Sequence, residues 1–111
     1  MHKHTISFKH AWDGIVYAFS SQPNFRIHLI FSVLACGMAW WLNVSSTKWL
    51  VLIMTIVGGL IVEMINTAVE SMVDLITQER RLDAKFAKDV AAGAMLIYAI
   101  GSLFVALWLF T

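Results

Sequence analysis

The stretch that decides the fold runs from Trp49 to Asp74: WLVLIMTIVGGLIV over 49–62, then EMINTAVESMVD over 63–74. Residues 49–62 carry no charge, and the helical pattern continues to about Ile76. A helix of that length can cross a ~30 Å hydrocarbon core. At ~100° per residue, Glu63, Asn66, Glu70 and Asp74 fall within about 80° of one another. One face of an otherwise apolar helix thus carries three carboxyl groups and a carboxamide. Ionisable groups inside a membrane are costly, and by default they mark a functional site.

Depth separates these acids. With Trp49 at one interface and ~1.5 Å of rise per residue, Glu63 lies ~21 Å inward and Glu70 ~31 Å. Glu63 is therefore expected within the far leaflet, while Glu70 and Asp74 reach water. Such a column suits a buried base above and a metal site below. A base next to a hydroxyl is what hydroxyl activation requires.

The rest of the chain fits a membrane setting. Of 111 residues, 59% are hydrophobic and 14% charged, against about half and a quarter in soluble domains. A soluble fold of this size cannot hide so much apolar surface. The net charge of +1 gives no basic patch for nucleic acid, and one cysteine, Cys36, excludes an intrachain disulfide. No cleavable signal peptide, internal repeat or low-complexity stretch is legible.

Ahead of the deciding stretch, Ile6, Phe8, Trp12, Ile15, Val16 and Phe19 recur at steps of mostly three and four. That spacing predicts an amphipathic helix over 5–21 lying in the interface. Pro23 ends it by pushing Gln22 out of the α region. The spans are expected at 25–43, 48–76 and 86–110, in a single domain covering 1–111. The fold class is therefore all-α: a surface helix and three transmembrane helices.

Lysine and arginine orient the spans. Lys3, Lys9 and Arg26 precede the first span, Arg80, Arg81, Lys85 and Lys88 separate the last two, and only Lys48 lies in the other loop. This predicts a cytoplasmic N-terminus and an outer C-terminus. Lys88-Asp89 then meets the acidic face from the cytoplasm, where a lysine can neutralise phosphate. No GxxxxGK[ST] phosphate loop occurs.

The pattern E-x-x-N-[ST]-A-[IV]-E-x-x-V-D, read from Glu63 to Asp74, resembles the signature of the prokaryotic diacylglycerol kinase family, which includes undecaprenol kinases. Asn24-Phe25-Arg26-Ile27-His28 and Ala87-Lys88-Asp89-Val90-Ala91-Ala92-Gly93-Ala94 agree with it. The resemblance covers nearly the whole chain. It implies a homotrimer in the bacterial cytoplasmic membrane, with sites shared between subunits. The enzyme would move the γ-phosphoryl group of Mg-ATP to a lipid alcohol, undecaprenol or diacylglycerol.

By motif position, the resemblance makes Glu63 the catalytic base and Asn66 its partner. Glu70 would bind Mg2+. ATP would be met by Glu70, Lys88, Asp89, His10 and Gln22, and the lipid by Glu63, Trp12, Asn24, Arg26 and His28. Asp74 is supportive. Gln22 stands where the family commonly carries a second metal-binding glutamate, so it offers a neutral carbonyl and a weaker hold on magnesium. The connection Thr77 to Phe86 departs from the family's S-[PE]-x-[YH]-[HN]-x-L pattern. Ile27-His28 and the Val-Ala-Ala-Gly-Ala run lean toward the undecaprenol branch. The rival class is a small oligomeric proton-coupled transporter or channel subunit using Glu63, although such proteins place the essential acid near the midplane.

Overall fold

The computed structural model describes residues 7–77 and 81–111. Thr5 and Ile6 of the expected surface helix, Lys3 and Arg80 of the charge asymmetry, and residues 78–80 of the connection lie outside the described residues. Among the described residues four helices make up the regular structure: α1 (Phe8–Ser21), α2 (Pro23–Trp41), α3 (Ser46–Ile76) and α4 (Leu82–Leu109).

Local chemistry sets each boundary. Ser7 caps α1, its hydroxyl accepting from the His10 N–H at 3.4 Å. Gln22 is extended (φ −116°, ψ 105°) and serves both as the C-cap of α1 and as the N-cap of α2. The proline ring at 23 disfavours the α conformation before it but suits the first helical position. The elbow is thus one residue long.

The α2–α3 turn closes differently. Asn43 takes φ 54°, and its N–H reaches Trp40 O while Val44 N–H reaches Ala39 O. This is the double bond pattern of a Schellman ending, with asparagine in the left-handed position that glycine usually fills. Ser45 then caps α3 through Lys48 N–H at 3.3 Å.

α3 and α4 are long and apolar enough to cross a membrane. At ~1.5 Å per residue, α3 is ~46 Å long, more than a hydrocarbon core requires. It packs most extensively on α4 and also touches α1 and α2. A small core forms where α2 ends: Ala39, Leu52 and Leu109 are buried, with Trp49, Ile56 and Val105 around them. Much of the remaining apolar surface faces outward, including Val33, Phe104 and Ile97. Such a surface suits lipid or neighbouring chains, not water.

Candidate functional site

α2, α3 and α4 line an open-sided cavity of about 680 Å³. Leu52, Leu109 and Phe110 line one end of it, and Asn24, His28 and Glu63 line the other. Between them the walls are mostly aliphatic and aromatic. Three of the polar side chains along the walls are committed to backbone. Ser32 donates to His28 O at 2.8 Å, Thr55 to Val51 O at 2.7 Å, and the Tyr98 hydroxyl to Thr55 O at 2.5 Å.

Glu63 is 4% exposed. One turn on, buried Thr67 gives its hydroxyl proton to the Glu63 carbonyl at 3.0 Å, which leaves the carboxylate untouched. Asn66 Oδ1 is a buried oxygen with no hydrogen-bond partner among the described residues. A buried acceptor without a donor costs about 1–3 kcal/mol, which marks this atom as one that a ligand would satisfy. Glu70 follows at the half-buried level and Asp74 in the exposed last turns of α3. Two of the four polar groups are therefore sheltered, and the row emerges toward water at the other two.

The start of α4 meets the wet end. Lys88 Nζ lies 2.8 Å from Asp74 Oδ1. Asp89, its neighbour, instead pairs with Lys85 at 2.6 Å on the exposed side. Among the described residues no group of three His, Cys, Asp or Glu side chains is placed to hold a metal. A hard oxygen donor set remains, with the Glu70 carboxylate and the orphaned Asn66 carbonyl oxygen. That fits magnesium, which commonly takes one or two carboxylates and completes its shell with phosphate and water.

The other sequence candidates sit apart from the cavity. His10 and Trp12 are exposed on α1, with Trp12 at 63%. Gln22 forms the elbow, its backbone carbonyl accepting from Phe25 and Arg26 N–H. Arg26 Nη1 donates to Phe19 O at 3.1 Å and Ser20 O at 3.2 Å. Those are last-turn carbonyls of α1, which lack helical partners and favour a cation. Sequence reasoning did not single out Tyr98, Thr67 or Lys85. Their signals, a tyrosine amid apolar residues and i,i+4 spacings, are too common to read.

A membrane-length helix with a sheltered acid at the end of an apolar cavity defines a class: an all-helical membrane protein working on a lipid-soluble group. The sequence model of the prokaryotic diacylglycerol kinase family matches residues 9–110, and the chain belongs to this family of lipid kinases. It is 44% identical over 101 residues to a diacylglycerol kinase of Synechocystis, which covers 90% of this chain and 58% of the relative. It is 38% identical over 106 residues to the undecaprenol kinase of Bacillus subtilis, covering 94% and 85%. The Escherichia coli diacylglycerol kinase is 33% identical over 91 residues, covering 82% and 75%. The chain thus spans little more than half the length of the Synechocystis relative and most of the other two.

Proposed function

We propose that this chain transfers the γ-phosphoryl group of ATP to the hydroxyl of a membrane lipid alcohol. The observation that carries this reading is a buried carboxylate, Glu63, at the end of an apolar cavity. The lipid tail lies in the apolar part and brings its hydroxyl to Glu63. Glu63 accepts the hydroxyl proton as the oxygen attacks phosphorus. Asn66 holds the phosphoryl oxygens or the base from one turn away, and Lys88, kept beside the acidic face by Asp74, neutralises phosphate charge. Glu70 and the carbonyl oxygens of Asn66 and Gln22 are the groups that would hold magnesium, which supplies charge neutralisation across the phosphates. His10 and Asp89 are assigned to the nucleotide, Trp12 to the lipid side of α1, and Asn24 and His28 to the acceptor at the cavity mouth.

The chain works as one domain, with α2, α3 and α4 as three spans, the N-terminus cytoplasmic and the C-terminus outside. Three copies share their sites, so that a neighbouring copy supplies further ligands and cover. The acceptor favoured here is undecaprenol. Ser32, Thr55 and Tyr98 have given their donors to backbone carbonyls. A polyprenol asks only for its hydroxyl to be met, whereas diacylglycerol esters bury acceptors that need donors.

The test is transfer of labelled γ-phosphate by purified protein in mixed micelles, with undecaprenol and diacylglycerol in parallel. Magnesium-dependent labelled lipid that disappears in Glu63→Gln is the expected result. Faster labelling of diacylglycerol would reverse the choice of acceptor, and no labelled lipid with either would overturn the kinase reading.

A further inference from the structure

Two adjacent glycines on α3 each receive an aromatic ring from a flanking helix. A Cβ at Gly59 would run into His28 Cε1 of α2 and lie 2.7 Å from its Nε2. A Cβ at Gly58 would run into the Tyr98 hydroxyl of α4 and lie 3.0 Å from its Cζ. Among the described residues the other four glycines, Gly14, Gly37, Gly93 and Gly101, have open space at that position. The close approach is therefore particular to this pair.

Position gives the pair its consequence. Gly59 is one helical turn before Glu63, so the two share a face of α3, ~6 Å apart along the axis. Helical side chains lean toward the helix N-terminus, so that of Glu63 leans toward Gly59. His28, Gly59, Glu63 and Tyr98 all line the same cavity. The Ser32 hydroxyl is bonded to the His28 backbone carbonyl, leaving the imidazole to the cavity. Tyr98 has spent its proton on Thr55 O, so it presents its ring and an oxygen that can only accept.

We propose that Gly58 and Gly59 are specificity-determining positions: Gly59 seats His28 over Glu63 so that imidazole and carboxylate take the acceptor hydroxyl between them, while Gly58 seats Tyr98 as the wall directing the tail. This rests on the lipid kinase reading. Gly59 acts through His28 and is a positioning residue. Its loss raises KM for the lipid, not for ATP.

The experiment compares wild type, Gly59→Ala, His28→Ala and the double variant in mixed micelles containing undecaprenol. Lipid is varied at saturating ATP, and then ATP at saturating lipid. Each single substitution is expected to raise lipid KM by about tenfold, the loss of one hydrogen bond's worth of affinity, with ATP KM within about twofold. The double variant should match His28→Ala, because the three atoms nearest the added methyl all belong to the ring and leave with it. If Gly59→Ala does not fold, the double variant, relieved of the clash, supplies the comparison. A double variant about tenfold worse than His28→Ala overturns the proposal, as does an unchanged lipid KM in Gly59→Ala. Labelling of His28 by diethyl pyrocarbonate, read by mass spectrometry, needs no turnover. Added undecaprenol should protect His28 in wild type, and Gly59→Ala should label several-fold faster; equal labelling would count against the seat. Wild type that phosphorylates no lipid yet shows this labelling contrast would overturn the kinase reading and leave the seat standing.

Discussion

Lys88 Nζ stands 2.8 Å from Asp74 Oδ1, joining the first turns of α4 to the last turns of α3. Both side chains are about half exposed, so solvent screens the pair and it adds little to stability. Its importance is placement. It keeps an ammonium group beside the acidic face, where nucleotide phosphates would arrive. Lys88→Ala is expected to raise KM for ATP by about tenfold or more. Asp74→Asn should move it by less than about threefold and leave unfolding stability little changed. Steady-state kinetics beside detergent unfolding curves separate the two.

Glu63 is the buried carboxylate at the mouth of the apolar cavity. Its amide isostere keeps the shape and removes the base. Glu63→Gln should lower kcat by about 10²–10⁴-fold and leave nucleotide affinity within about twofold. A fluorescent nucleotide titration, run with the turnover assay, checks both. Retained turnover would move proton removal to another group.

Glu70 is half-buried, past the sheltered part of the row. If it holds magnesium, Glu70→Gln should weaken Mg-ATP binding while binding of the free nucleotide changes little. Gln22→Glu should lower the magnesium concentration at half-maximal rate, since a carboxylate holds a hard cation better than an amide carbonyl. Magnesium titrations of rate measure both, and identical curves for Gln22→Glu and wild type would remove Gln22 from the site.

Arg26 spends its guanidinium on Phe19 O and Ser20 O. Two charge-assisted bonds to otherwise unpartnered carbonyls stabilise the α1 ending by about 1–3 kcal/mol. Arg26→Ala should therefore speed amide exchange over residues 17–21 and lower unfolding stability. A raised lipid KM with exchange and stability unchanged would mean that Arg26 acts on the substrate instead.

The helical fold class and the acidic face were legible because they rest on local physics. Charge-free length, 3.6-residue periodicity and one proline are properties of neighbouring residues. The same holds for Gln22, whose extended backbone follows from Pro23 alone. Arg26 was not legible in this way. Seven residues from Phe19, it reads as a cation near a membrane interface, and only the bend at the elbow brings it back over the α1 carbonyls. Trp12 and His10 were equally opaque, because an amphipathic spacing does not say which groove the helix lies against.

By itself, then, the sequence determined an all-helical membrane chain, the column Glu63, Asn66, Glu70 and Asp74, and membership in a lipid kinase family through the motif those residues form. Tertiary structure alone decided what surrounds that column: Asp74 paired with Lys88, and His28 and Tyr98 set on Gly59 and Gly58. The reason is range. Periodicity fixes which residues share a helix face, but the contacts between α3 and α4 join residues 14 to 43 positions apart. They are chosen by how closely two helices can approach, and two missing Cβ atoms on α3 decide that distance here.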